Sequence, residues 1–168
     1  TASGMFSSVD GEDIINTNDI PGYVLAVFSA RKLGIISKGE LNERVTAVLN
    51  FLQDVPVTES GNYFSAYSTD GSTIVNNSEC DIFTSLQFTA LFGNLIVNNS
   101  TFREPAFYLL KKVQIISRLN EYRTKSEIPE IDGKVLNLYV KSMHLPDSLK
   151  IISTSESSGY PLDFTNYF

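Results

Sequence analysis

The sequence predicts an all-α domain of stacked antiparallel helix pairs, inner–outer hairpins, with one small irregular or β-hairpin excursion. Three observations carry that expectation. Residues 19–55 read as two helices folded back on each other, the first apolar on nearly every side and the second amphipathic. A second pair of the same kind starts at Asp81. The run Glu59-Ser60-Gly61-Asn62-Tyr63-Phe64 is echoed by Glu156-Ser157-Ser158-Gly159-Tyr160, as stacked repeats would show.

Residues 1–18 are polar and glycine-bearing, and read as an irregular lead-in to a single helical domain over 19–168. The first helix opens with Asp19 placed to cap it and Pro21 in its first turn, where a missing N–H costs nothing. Tyr23, Val24, Leu25, Val27, Phe28, Leu33 and Ile35 surround it with apolar side chains, and Gly34 is placed to stop it. Ser37 and Glu40 form an S-x-x-E capping box for the second helix. There Leu41, Val45, Val48, Leu49 and Leu52 share one face and Glu40, Glu43, Arg44, Asn50 and Gln53 the other.

Residues 56–78 hold the excursion. Asn62 to Tyr67 alternates, and Asp70-Gly71 is a hairpin turn signal. A third helix, again apolar on most sides, follows from Asp81 to Ile96. A fourth runs from Arg103 or Glu104 to about Tyr122, with Ala106, Leu109, Leu110, Val113, Ile116 and Leu119 as its buried stripe. A shorter fifth helix is expected after Asp132-Gly133, and the chain closes on an aromatic tail from Tyr160 to Phe168.

The totals exclude several classes. A net charge of −6 and a pI of about 4.7 argue against nucleic acid, because phosphate contacts need clustered Lys and Arg. No apolar run approaches the roughly 20 residues of a membrane span. With one cysteine, Cys80, and one histidine, His144, neither an intrachain disulfide nor a Cys- or His-rich metal site can be assembled. No metal and no cofactor are expected, and Cys80 reads as a buried structural thiol. Asn76-Asn77-Ser78, Asn98-Asn99-Ser100 and Asn99-Ser100-Thr101 are formal glycosylation acceptors in predicted loops, which points to an exported, extracellular protein.

Three quoted stretches, GYVLAVFSARKLGIISKGELNERVTAVLNFLQDVP, SGNYFSAYSTDGS and SECDIFTSLQFTALF, resemble the inner helix, outer helix, turn and next inner helix of the α/α-toroid superfamily. Its members include glucoamylase-like glycoside hydrolases and the terpenoid cyclase/prenyltransferase group. The resemblance covers Gly22 to Phe92 and implies a part of a helical ring. The acid-rich D-x-D-D motif of the cyclases is absent, with Glu130-Ile131-Asp132-Gly133 in its place.

If the inner helices run parallel, their starts cluster at one end. Asp19, Glu79, Asp81 and Asp132 then share a rim with Tyr63, Tyr67 and Tyr160 nearby. Paired carboxylates with aromatic platforms are what glycoside hydrolysis uses. Capping is the stronger explanation of the acids at helix starts, and nothing more is needed for Asp19, Asp81 or Asp132.

Two functions follow. The leading one is a non-catalytic, exported binding domain for a protein or carbohydrate ligand, with Tyr63, Phe64, Tyr67 and Tyr160 as its contact surface. It leads because no catalytic constellation is assembled in the sequence. The alternative is a carbohydrate-active toroid enzyme of the glycoside hydrolase type, or a fragment of one, using Asp81 with Glu79 or Asp132. In either case a second copy or a partner chain could complete the fold.

Overall fold

A computed structural model of the protein describes residues 5–113, and of residues 82, 83 and 86 the backbone alone. The described residues divide into two compact units between Ser85 and Leu86. The expected fifth helix, Asp132, His144 and Tyr160 lie outside the described residues.

The first unit opens with β1 (Ile14–Asn16), followed by α1 (Asp19–Lys32), α2 (Lys38–Asp54), β2 (Phe64–Ser68) and β3 (Ile74–Glu79). The all-α expectation is overturned. β2 pairs antiparallel with both neighbours, giving a three-stranded sheet in the order β1-β2-β3 beside the helices, so the fold is mixed α and β. The excursion forms the expected hairpin, but a strand also arises inside the polar lead-in. Ile14, Ile15 and Asn16 become a strand through register with Ser68, Tyr67 and Ala66. Propensity over three residues could not show that pairing.

The helix pair is built largely as the sequence predicts. α1 ends in a Schellman motif: Gly34 at φ 74° lets Ile35 N–H donate to Ala30 O at 2.9 Å and Gly34 N–H to Arg31 O at 3.1 Å. Because the helix stops at Lys32, Leu33 and Ile35 belong to the connecting loop, where they are 75% and 72% exposed. α1 therefore buries one stripe, Ile20, Val24 and Val27, rather than its whole circumference. Asp19 is the first helical residue, not the cap. Asn18 precedes it in αR conformation without a capping side chain, and Asp19 complements the helix dipole from the first turn.

Ser37 does cap α2, with Glu40 N–H donating to Ser37 Oγ at 3.1 Å. The reciprocal half of the box is replaced by an ion pair, Arg44 Nη2 to Glu40 Oε1 at 2.7 Å, one turn along. α2 buries Leu41, Val45, Val48, Leu49, Phe51 and Leu52. Upstream of β1, the Phe6 ring stacks on Tyr23 at 4.3 Å and fastens the lead-in to α1.

The hairpin is irregular. Register shifts fall between Phe64 and Ala66 and again between Ala66 and Tyr67, with the extra residues on β3. Gly71 turns the chain at φ 74°, and Asp70 Oδ1 organises that turn by accepting from Ser68 Oγ at 2.6 Å, Ser72 N–H at 2.9 Å and Ser72 Oγ at 2.8 Å.

α3 (Ile82–Asn98) crosses from one unit into the other, and α4 (Arg103–Lys112) follows. Within the second unit α3 is buried around its circumference: Phe88, Thr89, Ala90, Leu91, Phe92, Asn94 and Leu95 are all inside. Phe88 and Phe92 stack at 5.6 Å, and Asn94 Nδ2 donates back to Ala90 O at 2.9 Å, which satisfies an amide on an otherwise apolar helix. α4 buries Ala106, Leu109 and Leu110 on one stripe and is capped at its end by Val113 in extended conformation; the expected continuation to Tyr122 lies outside the described residues.

Candidate functional site

Antiparallel pairing on both sides of β2 makes β1 and β3 run the same way, so α1 and α3, which follow them, begin at the same end of the sheet. The chain is fixed there on both sides of the start of β2. Thr17 N–H donates to Ser65 O at 2.9 Å and Thr17 Oγ1 to Phe64 O at 2.5 Å. On the other side Cys80 N–H donates to Tyr63 O at 2.9 Å. Two strand spacings, about 10 Å, separate these anchor points.

This geometry brings three of the four acids singled out in the sequence to one rim. Asp19 opens α1, Glu79 ends β3 and Asp81 precedes α3. Asp19 and Asp81 are exposed and Glu79 is half-buried. Asp81 acts as the cap of α3: its Oδ1 accepts from Thr84 N–H at 2.7 Å. Glu79 Oε1 accepts from Ser60 Oγ, whose turn is set by Gly61 at φ 75°. Thus Glu79 and Asp81 both hold hydrogen bonds within the fold.

Behind the rim lies a buried polar cluster that no sequence signal marked. Asn62 follows a glycine and reads as a turn residue, yet it is buried and fully engaged. Its Oδ1 accepts from Tyr63 N–H at 2.9 Å, Cys80 Sγ at 3.1 Å and Ser85 Oγ at 3.3 Å, while Nδ2 donates to Cys80 O at 3.2 Å. Burial pushes the Cys80 thiol above its ordinary range and the nearby Asp81 charge adds to this, against the hydrogen bonds it shares with Ser85 and Asn62. A neutral, enclosed thiol is a poor nucleophile.

Of the tyrosines expected to form a contact surface, Tyr63 and Tyr67 are inside the protein. Tyr63 and Tyr67 are both 0% exposed. Tyr63 OH donates to Leu52 O at 3.2 Å; Tyr67 OH donates to Pro56 O at 2.7 Å and accepts from Phe64 N–H at 2.8 Å. Phe51 meets the Tyr67 ring edge-on at 5.9 Å. These rings lock the hairpin to α2, whereas Phe64 is half-buried. Among the described residues no group of three or more His, Cys, Asp or Glu is arranged to hold a metal ion.

A sequence model of one family, described as protein of unknown function (DUF3131), matches residues 1–98. The chain belongs to that family. The DUF3131 match takes in the whole sheet and the helices α1 to α3, and so includes the rim. Two solved structures are similar to the chain. Both are bacterial proteins named putative glucoamylase, one from Bacteroides caccae and one from Bacteroides fragilis. The first superposes with a TM-score of 0.55 at 14% identity over 87% of this chain and 42% of its own. The second gives 0.53 at 14% identity over 84% of this chain and 39% of its own. The chain therefore has the fold of part of a glucoamylase-like structure and spans about two fifths of the length of each. Comparison with curated proteins finds no match. Among the described residues no helix is long and apolar enough to cross a membrane.

Proposed function

We propose that this chain is a segment of a glucoamylase-like, carbohydrate-active protein, and that the rim where α1 and α3 begin is the end that meets the sugar. The similarity of its fold to part of two glucoamylase-like structures carries the reading. The rim supports it chemically. Glycoside hydrolysis needs one carboxyl group to protonate the leaving oxygen and a second as base or nucleophile, about 5 to 10 Å apart. Asp19 and Asp81 begin on either side of β2, a separation of that order, and both are open to solvent.

Binding without turnover is the second reading, favoured by the protein hydrogen bonds already made by Glu79 and Asp81. In that case the carboxylates accept hydrogen bonds from sugar hydroxyls. Calorimetric titration of the 168-residue chain with maltooligosaccharides, run beside a reducing-sugar assay, separates the two. Asp19→Asn and Asp81→Asn should each weaken binding about tenfold, roughly 1.4 kcal/mol; the fold should tolerate both, since Asn can replace Asp81 as a cap and Asp19 contributes only a helix-dipole interaction of about 0.3 to 1 kcal/mol. Sugar release that vanishes in Asp81→Asn assigns catalysis. Binding that neither substitution alters, or no binding at all, would sink the proposal.

A further inference from the structure

Two of the Asn-x-Ser/Thr triplets share a local geometry that the third lacks. Asn76 lies in β3, exposed together with Asn77 and Ser78, and its Oδ1 accepts from Ser78 N–H at 3.0 Å. Asn99 lies in the turn between α3 and α4, where its Oδ1 accepts from Thr101 N–H, also at 3.0 Å. Ser100 and Thr101 are exposed. Among the described residues neither Asn76 nor Asn99 donates a hydrogen bond from Nδ2. Asn98 differs: it is still helical, and its Nδ2 donates to Asn94 Oδ1 at 3.4 Å.

We infer that Asn76 and Asn99, and not Asn98, accept N-linked glycans when the chain enters an export pathway. The donor class is an oligosaccharide on a polyisoprenyl pyrophosphate, transferred by an oligosaccharyltransferase. Nδ2 forms a bond to the anomeric carbon, the bond from that carbon to the pyrophosphate oxygen breaks, and its electron pair leaves with the pyrophosphate. Nδ2 loses one proton to a base of the transferase. A backbone N–H donated to Oδ1 polarises the amide and makes that proton easier to remove. The contact spans only two residues, so the same turn is open to the chain before its tertiary fold forms.

In the folded protein Asn76 is exposed and Asn99 half-buried, with its neighbours Asn98, Ser100 and Thr101 exposed. At Asn76 a glycan would have a task. β3 is an outer strand of the sheet, and Ile74 and Val75 are exposed along it. A glycan there covers a strand edge that otherwise invites pairing with another chain.

The inference is independent of any sugar-binding role and is tested on the full chain. Fused to a cleavable signal sequence and translated with endoplasmic reticulum microsomes, the chain should gain two glycan-sized mobility steps that peptide N-glycosidase removes. Release in oxygen-18 water should label Asn76 and Asn99. Asn76→Gln, Asn99→Gln and Thr101→Ala should each lose one step, and Asn98→Gln none. A translocated, protease-protected chain without glycan, or one labelled at Asn98, would overturn it. Label at a single asparagine would overturn the assignment of the other.

Discussion

Asn62 and Cys80 are bonded to each other twice, through Asn62 Nδ2 to the Cys80 carbonyl and through Cys80 Sγ to Asn62 Oδ1. One buried amide thereby joins the approach to β2, the end of β3 and the first turn of α3. Asn62→Leu removes the acceptor shared by Cys80, Tyr63 and Ser85. Disrupting buried hydrogen bonds costs about 1 to 3 kcal/mol for each group affected. Urea unfolding should show a loss of about 3 kcal/mol. A loss below about 1 kcal/mol would mean that the cluster is dispensable.

The two buried tyrosines should rank by what their hydroxyls do. Tyr67 OH bridges Pro56 O at 2.7 Å and Phe64 N–H at 2.8 Å, whereas Tyr63 OH donates to Leu52 O over a longer, weaker 3.2 Å. Tyr67→Phe should therefore cost about 2 kcal/mol and Tyr63→Phe about 1 kcal/mol in the same unfolding experiment. The reverse order would contradict this division.

Among the described residues, Tyr67 and Asp70 each add a pH-dependent contribution to stability. Burial pushes the Tyr67 phenol from an ordinary value of 10.0 up to about 12. The unfolded chain loses that proton first, so stability falls as pH rises from about 10 to 12, and Tyr67→Phe should flatten that limb. At the acid end, Ser68 first and then Ser72 hold Asp70 at about 2, below its ordinary 3.8. Its contribution is present above pH 4 and lost as pH falls towards 2. Asp70→Asn should remove that acid dependence, as read by thermal melts between pH 2 and 5.

Gly34 and Gly71 share the same left-handed conformation but not the same surroundings. A Cβ at Gly34 would meet nothing within 4 Å, whereas at Gly71 it would sit 3.1 Å from Val55 Cγ1 and 3.4 Å from Phe51 Cε2. Gly34→Ala should cost about 1 to 2 kcal/mol, the conformational term alone. Gly71→Ala should cost measurably more, because Val55 and Phe51 must also shift. Equal losses would show that these side chains give way freely.

What could be read from the sequence was whatever local chemistry decides. The α2 stripe from Leu41 to Leu52, the Ser37 cap, the Gly34 stop and the Asp70-Gly71 turn each follow from residues a few positions apart. β1 escaped because Ile14–Asn16 becomes a strand only against β2, far along the chain. The burial of Tyr67 has a related cause. Strict alternation would separate Ala66 and Tyr67 onto opposite faces, yet the register shifts of the hairpin leave both buried. Parallel inner helices predict a common rim of Asp19, Glu79, Asp81 and Asp132, the last of which lies outside the described residues; for the first three the shared end of the sheet is the relevant geometry. The structure reaches it through the parallel course of β1 and β3.

The pairing of Ile14 with Ser68 encloses both α1 and α2, whereas β2 meets β3 across one tight turn. Ring closure over a long stretch of chain carries an entropy cost that local contacts avoid. The helix pair and the hairpin therefore assemble early, and β1 docks last. Destabilisation runs the sequence backwards: the residues before Thr17 detach first, baring the other flank of β2 while the rest of the first unit is still folded.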